Sequence, residues 1–211
     1  MPSAGERSPY RQVLADRFDE LHPRLRAYFD AIPPGGVGRG RGVFDTVGTP
    51  RRWVRPLLGL FGPEVIFPVW ERDVPFTVEN RPATRADGSP AVAAVREFAL
   101  ARGARRMVDE IGVTSGTLDD RLGRPVRAVA TFRASILEGG LRLRSERVTL
   151  LVGRLRVRLP RAVAPRIVLT ERFDEAADRQ RVAITVTMPI VGRVYQYAGW
   201  FRYEVDTGES R

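Results

Sequence analysis

Strict alternation of apolar with polar residues runs through most of the chain between Val74 and Val205. Two segments show it most clearly, and their alternating residues are Val126, Ala128, Ala130, Phe132, Ala134 and Ile136, then Tyr195, Tyr197, Phe201, Tyr203 and Val205. A period of two places one set of side chains on a core face and the other toward water. Seven or more such runs, separated by Gly, Pro and Asp, predict an antiparallel barrel or sandwich.

The strand boundaries follow from the turn signals between the runs. We expect strands near 43–47, 74–82, 91–100, 105–113, 125–137, 140–152, 154–159, 166–173, 180–188 and 193–205. Two acidic pairs, Asp119-Asp120 and Asp174-Glu175, are interpreted as solvated turn residues, because Asp is frequent in turns.

The N-terminal segment has a helical period instead. Ser8-Pro9 is a good cap and first-turn pair, and the apolar stripe that follows consists of Leu14, Phe18, Leu21, Leu25 and Tyr28. Pro23 predicts a break near His22, which we interpret as a structural histidine. Thr49-Pro50 is expected to cap a second helix that carries Trp53, Leu57, Leu58 and Phe61, and Pro56 keeps this helix short or irregular. The predicted organisation is a helical segment 1–32, a Gly/Pro connector 33–41, a barrel 42–205 and a disordered tail 206–211.

Composition excludes several kinds of site. The chain has no cysteine, which excludes disulfides, thiolate metal sites and a cysteine nucleophile, and its single histidine excludes multi-histidine metal centres. We therefore expect no metal and no cofactor. The first eleven residues lack the apolar region of a signal peptide, and no apolar stretch approaches the ~20 residues of a membrane-spanning helix. A cytoplasmic protein is expected.

Basic residues exceed acidic ones, and the net charge is +10. Every basic residue other than His22 is an arginine, which suggests a GC-rich coding bias as much as a basic surface, and no nucleic-acid-binding motif is present. Arginines are densest from Arg142 to Arg166, where they alternate with Leu and Val. This predicts a basic outer face that is either neutralised by nearby acids or occupied by an anionic ligand or an acidic partner.

The strand phases also predict an interior site. Arg96, Asp109 and Glu171 each fall on the apolar phase of their strand, and a charge placed inside needs a partner. The candidate catalytic residues are Glu171, Asp109 and Tyr197, and the candidate ligand-binding residues are Arg96, Tyr195, Phe201, Tyr203, Phe132 and Phe98. The alternative is that a bulge shifts the phase and turns these charges outward.

Five short motifs occur in a characteristic order. They are Phe18-x-x-Leu21-His22-Pro23, Gly40-x-Gly42-Val43, Asp73-Val74-Pro75, Leu159-Pro160 with Pro165, and Tyr197-Ala198-Gly199-Trp200. Together they resemble a bacterial family catalogued as domain of unknown function 4166. The resemblance implies an association with a dehydrogenase-like nucleotide-binding domain, which in that family often precedes this one in longer chains. It implies no catalytic residues.

We expect a mainly β protein: an antiparallel calycin-like or lipocalin-like barrel with N-terminal helices, or alternatively a sandwich or a helix-grip curved sheet. Such a barrel would enclose an apolar, acidic small molecule and act as a cofactor-free cyclase or isomerase of secondary metabolism. The alternative is a non-catalytic lipid- or partner-binding module that acts beside a separate oxidoreductase.

Overall fold

Eleven antiparallel strands form most of the computed structural model, which describes residues 8–59, 62, 64–153, 155–160 and 162–207. The strands are β1 Val37–Gly48, β2 Trp70–Thr84, β3 Pro90–Leu100, β4 Gly103–Thr114, β5 Thr117–Leu122, β6 Ala128–Leu137, β7 Gly140–Val152, β8 Leu155–Arg158, β9 Arg166–Asp174, β10 Arg179–Met188 and β11 Gly192–Asp206. Phe61, Arg154, Arg161 and 208–211 of the predicted tail lie outside the described residues, as do residues 1–7.

Ten of these strands close into one barrel. Strands β1 to β7 and β9 to β11 follow one another around it, and the ring closes where β11 pairs with β1. Strand β8 lies outside the ring and pairs only with the end of β7. The prediction of a mainly β barrel with N-terminal helices is confirmed at this level. Because the sheet closes on itself, the alternative predictions of a two-sheet sandwich and of an open curved sheet are wrong.

The up-and-down connectivity gives the barrel two distinct ends. We call one the helix end; it comprises 8–36 and the turns 85–89, 115–116, 138–139 and 175–178. We call the other the loop end; it comprises the described residues of 49–69, 101–102, 123–127, 153–165 and 189–191. This division organises both the interior and the surface.

Three short helical segments cover the helix end: α1 Pro9–Leu14, a 3₁₀ helix Ala15–Glu20 and α2 Pro23–Phe29. The Ser8 hydroxyl accepts the Arg11 N–H at 3.1 Å, so the predicted cap is present. His22 caps α2, its Nδ1 accepting the Arg24 N–H at 3.2 Å while its Nε2 lies 2.6 Å from Glu175. These contacts fit the structural role predicted for this histidine.

The loop end is covered less regularly. A 3₁₀ turn Arg52–Val54 leads into the single-turn helix α3 Arg55–Gly59, so the helix here is short and irregular, as Pro56 predicts. Its Val54 and Leu58 are buried against the barrel core. No helix among the described residues is both long and apolar enough to cross a bilayer.

The predicted connector is wrong in its second half, because β1 begins at Val37 and not at Val43. The glycines of this segment allow close strand contact. A Cβ on Gly42 would lie 1.9 Å from the Trp200 carbonyl oxygen, and one on Gly199 would lie 2.1 Å from the Val43 oxygen. These glycines therefore allow the backbones of β1 and β11 to lie close together, and they do not form a flexible connector.

The turn predicted at Asp119-Asp120 is also wrong, because both residues lie in strand β5. Asp119 faces outward and Asp120 inward, on the same side as the buried Leu118. On the outside, the Arg85 guanidinium covers the sheet and holds Asp119 through two contacts of 2.8 and 3.0 Å, with Glu110 at 2.8 Å. An acidic pair can form a strand here because an arginine from another segment neutralises its outer member.

This outer ion pair predicts a sensitive glycine. A Cβ on Gly112 would lie 2.4 Å from Arg85 Cζ, and two carboxylates fix that guanidinium in place. We expect Gly112→Ala to lower the free energy of unfolding by about 1–3 kcal/mol, as overpacking does, measured by urea denaturation. Gly59→Ala is the matched control, since a Cβ there meets nothing within 4 Å. Equal stability of the two variants would contradict the role assigned to Arg85.

Candidate functional site in the barrel interior

Arg96 and Asp109 face each other inside the barrel, on neighbouring strands β3 and β4. The guanidinium contacts Asp109 Oδ1 directly, and 17% of the Arg96 side chain but only 3% of the Asp109 side chain is exposed. Neither the β2–β3 nor the β3–β4 pairing contains a register shift, so the phase predicted from sequence survives. The alternative that a bulge turns these charges outward is wrong.

Glu171 enters the same interior from β9. It is 6% exposed, and the Gln180 side-chain amide donates to its Oε2. Burial raises the pKa of Glu171 to about 7, although the Gln180 hydrogen bond and the charge of Arg96 both oppose that rise. A carboxyl group that titrates near neutrality inside a barrel can both accept and release a proton.

Asp120 is an interior carboxyl group that the turn assignment missed. Its strand partner Ile111 lies two residues from Asp109, so the two carboxyl groups are diagonal neighbours on one face. Burial raises the pKa of Asp120 well above its ordinary value, and the nearby charge of Asp109 raises it further. Leu118 and Leu122 flank Asp120 at every second position, and that is the sequence signal for an inward side chain.

Two carboxylate oxygens in this cluster have no hydrogen-bond partner among the described residues: Asp109 Oδ2 and Asp120 Oδ1. Buried polar atoms are normally satisfied, because an unmade hydrogen bond costs free energy. Burial lowers the pKa of Arg96, but the neighbouring groups, of which Asp109 contributes most, together raise it above its ordinary value, so Arg96 stays charged. The interior therefore holds a cation together with unused acceptors.

Aromatic side chains fill the barrel beside this cluster. Phe44 stacks on Phe76 at 3.8 Å between ring centroids, and Phe98 lies 5.3 Å from Phe44. Tyr197 packs against Phe44 at 4.9 Å, and burial raises the pKa of its phenol, which stays protonated at neutral pH. Tyr197 can therefore donate a hydrogen bond inside the barrel.

Two small cavities lie on either side of Arg96 and Tyr28, which line both. One is bounded by Tyr10, Asn80, Val92, Ala94 and Ile111 among others, and the second by Phe76, Leu169, Glu171, Tyr197 and Phe201 among others. Each has about 20 Å³ of free space, which is room for one water molecule. The barrel beside Arg96 is thus packed rather than hollow, and Tyr28 from α2 lines both of these voids.

The structure brings most of the predicted site residues together. Arg96, Glu171, Tyr197 and Phe201 line one cavity, and Asp109 contacts Arg96. Tyr203 accepts a hydrogen bond from Asn80 Nδ2 at 3.2 Å, and its ring lies 4.6 Å from that of Tyr28. Phe98 belongs to the aromatic packing beside Tyr197.

Tyr195 and Phe132 do not line either cavity. Tyr195 is buried with Val194 toward the loop end, and Phe132 packs with the N-terminal helices in a second core cluster. Both were selected on strand phase, which identifies the inward face but not the depth along the barrel. Their placement makes them core residues.

Tyr10, Tyr28 and Asn80 are site residues that the strand analysis missed. The two tyrosines come from α1 and α2, whose apolar stripe predicted packing but not which side chains reach the charges. Burial raises the pKa of Tyr28 well above its ordinary value. In the described residues no three His, Asp or Glu side chains are grouped as a metal site would require.

The basic stretch divides between two places. Arg142 and Arg144 lie along β7 beside β9, whereas Arg156 and Arg158 lie on β8 at the loop end. Glu146 pairs with Arg133 at 2.8 Å, so the acid of this stretch is already engaged. Of the four arginines, none has a described carboxylate within salt-bridge distance.

Comparison with known proteins gives one similar protein and one family. The chain is 27% identical to "Uncharacterized protein YndH" of Bacillus subtilis (strain 168) over 191 residues, which cover 87% of this chain and 91% of that protein. The family described as Domain of unknown function (DUF4166) matches residues 21–201, a span that includes α2, the barrel strands up to residue 201 of β11 and every interior charge discussed above. The chain therefore belongs to the DUF4166 family.

Proposed function

We propose that the barrel interior binds an apolar small molecule bearing an anionic or hydrogen-bonding group, and that it moves a proton on that molecule without a cofactor. The observation that carries the proposal is the enclosed cluster of Arg96, Asp109, Asp120 and Glu171 beside two voids. A barrel of this size gains little stability from such groups, since apolar replacements of buried ion pairs are often neutral or stabilising. A functional reason for their presence is therefore the better explanation.

The residues suggest distinct roles. Arg96 would anchor the anionic or polar group of the ligand, and Tyr197 would donate a hydrogen bond to it. Glu171, with a pKa of about 7, would take a proton from one carbon and return it to another. An isomerisation or cyclisation needs no further reagent, because the proton removed is the proton returned. The calycin-like character of the barrel is part of the same proposal.

Ligand entry needs movement of α2. The voids hold about one water each, far less than the ~300 Å³ of an ordinary ligand site. Tyr28 lines both of them, and it belongs to a helix of only seven residues. Withdrawal of Tyr28 would join the two voids around Arg96. The helix end is therefore the proposed mouth.

Native mass spectrometry against a panel of aliphatic and aromatic carboxylic acids tests the binding step. We expect a one-to-one complex with the native protein, and its loss in Arg96→Met combined with Asp109→Leu, a pair chosen to remove both charges together. Arg133→Met is the matched control, because that side chain is 79% exposed. Retention of the complex by the doubly substituted interior would overturn the assignment of Arg96.

Turnover of the bound acid tests the catalytic step. Glu171→Gln should lower its rate by about 10²- to 10⁴-fold, the usual contribution of a general base, while the complex still forms. The second candidate, a non-catalytic binding module, is favoured by the close packing of the interior. It predicts that the native protein releases every bound acid chemically unchanged.

A further inference from the structure

Exposed hydrophobic side chains are concentrated at one end of the barrel. Ten large ones are exposed among the described residues. Seven lie at the loop end, namely Trp53, Leu57, Val126, Leu155, Val157, Val163 and Ile190, and an eighth, Val152, ends strand β7 next to it. Only Leu137 and Val205 lie elsewhere. Isolated exposed hydrophobics are ordinary, but a cluster contributed by separate loops marks a contact surface.

Arginines surround these side chains. The described loop end contains Arg51, Arg52, Arg55, Arg102, Arg124, Arg127, Arg156 and Arg158, and its one acid is Glu64. None of the eight guanidinium groups pairs with a described carboxylate, and Glu64 already accepts the Arg124 backbone N–H at 3.0 Å. Eight arginines against one acid create a positive field that favours an anionic partner.

The helix end has the opposite character. Its described residues include eight acids and five arginines, and several of these are paired with one another. Arg11 binds Asp30 at 3.0 Å, and Arg17 binds Glu20 at 3.1 Å. The chain therefore has a polar, internally paired end and an apolar, unpaired basic end.

We propose that the loop end docks on the surface of an anionic lipid bilayer. Trp53, Leu155 and Ile190 are 59%, 69% and 105% exposed, and side chains of this kind insert among lipid headgroups. The surrounding arginines would contact lipid phosphates, each contributing attraction that falls off within a Debye length. Nucleic acid or an acidic protein would satisfy the arginines but gives no reason for exposed aliphatic side chains on several loops.

This docking surface is independent of the interior site. It lies at the end of the barrel opposite α2, so a docked molecule would keep the proposed mouth at the helix end open to water. Arg156 and Arg158 belong to the basic stretch predicted from sequence, and in this proposal lipid phosphates bind them. A failure of the docking proposal would leave the interior assignments unchanged.

Vesicle co-sedimentation of the whole chain tests the proposal. We expect binding to phosphatidylcholine vesicles that contain phosphatidylglycerol, weak binding to pure phosphatidylcholine, and a fall in affinity as salt is raised. Trp53→Ser combined with Leu155→Ser should weaken binding about tenfold or more, because both apolar insertions are lost. Leu137→Ser combined with Val205→Ser, at the other end, is the matched control and should leave binding unchanged. All variants change exposed side chains, so circular dichroism should match the native protein.

Tryptophan quenching by lipids brominated in the acyl chain gives the orientation. We expect quenching in the native protein and a large reduction of it in Trp53→Phe, since Trp53 is 59% exposed whereas Trp70 and Trp200 are partly buried in the barrel strands. Absence of binding to the phosphatidylglycerol vesicles at low salt would overturn the proposal. Vesicle binding that is unchanged by the Trp53 and Leu155 substitutions would overturn it as well. The same holds if, in addition, a DNA duplex or an acidic polypeptide abolishes that binding by competition.

Discussion

Arg96→Met should lower the free energy of unfolding by about 3–5 kcal/mol at pH 7. The reason is the carboxylate left behind, since Asp109 is 3% exposed and its second oxygen already lacks a partner. Removing the guanidinium leaves a buried charge with nothing to offset its lost hydration. Urea denaturation followed by far-ultraviolet circular dichroism measures the change.

A double-mutant cycle separates this cause from simple loss of packing. Arg96→Met combined with Asp109→Leu removes both charges, and we expect it to recover most of the lost stability. Arg133→Met, on an exposed side chain, should change stability by no more than about 0.5 kcal/mol. If the combined variant is as unstable as the sum of the single ones, the two groups do not act as a pair.

The second large effect is a dependence of stability on pH that belongs to Glu171. Burial raises its pKa from 4.5 to about 7, so between these values the folded protein holds a proton that the unfolded chain has released. The stabilisation from that proton is complete below about pH 4.5 and is lost as the pH rises through about 7. The loss amounts to on the order of 3 kcal/mol for this one group.

Glu171→Gln isolates the effect because it cannot titrate. We expect the stability of the native protein to fall, relative to that variant, as the pH rises from about 4.5 to about 7, and then to stay level. Glu97→Gln, on an exposed strand position, should follow the native protein across the whole range. A constant difference between native protein and Glu171→Gln at every pH would show that Glu171 keeps an ordinary pKa.

The barrel could be predicted from sequence because alternation reports strand phase directly. Arg96, Asp109 and Glu171 were placed inward on that basis, and they are inward because β3, β4 and β9 pair without register shifts. The first half of β1 could not be predicted, since its glycines look like a connector until their contacts with Trp200 and Phe201 are seen. Strand β5 could not be predicted because its outward acid, Asp119, is neutralised by Arg85, which lies more than thirty residues away in the sequence.

The site was harder to predict than the fold. Strand phase identifies the other charged residues but not Asp120, because the adjacent pair Asp119-Asp120 predicts a turn and not a strand. It also selected Tyr195 and Phe132, which face inward at other depths of the barrel. Tyr28 lies beside Arg96 because α2 covers the helix end of the barrel. Helical periodicity predicts which face of a helix is buried, but not which residues of the barrel that face contacts.

Thiol labelling tests whether small molecules reach the interior around Arg96 past the helix end. The chain has no cysteine, so Ala94→Cys, in the wall of one cavity, and Val47→Cys, in the opposite core, each introduce the sole thiol. We predict that Ala94→Cys reacts with a maleimide through local opening, at a rate insensitive to low urea. Val47→Cys should react only through global unfolding, at a rate that rises with urea. Equal rates with the same urea dependence would contradict the account, because the interior would then open only when the whole barrel unfolds.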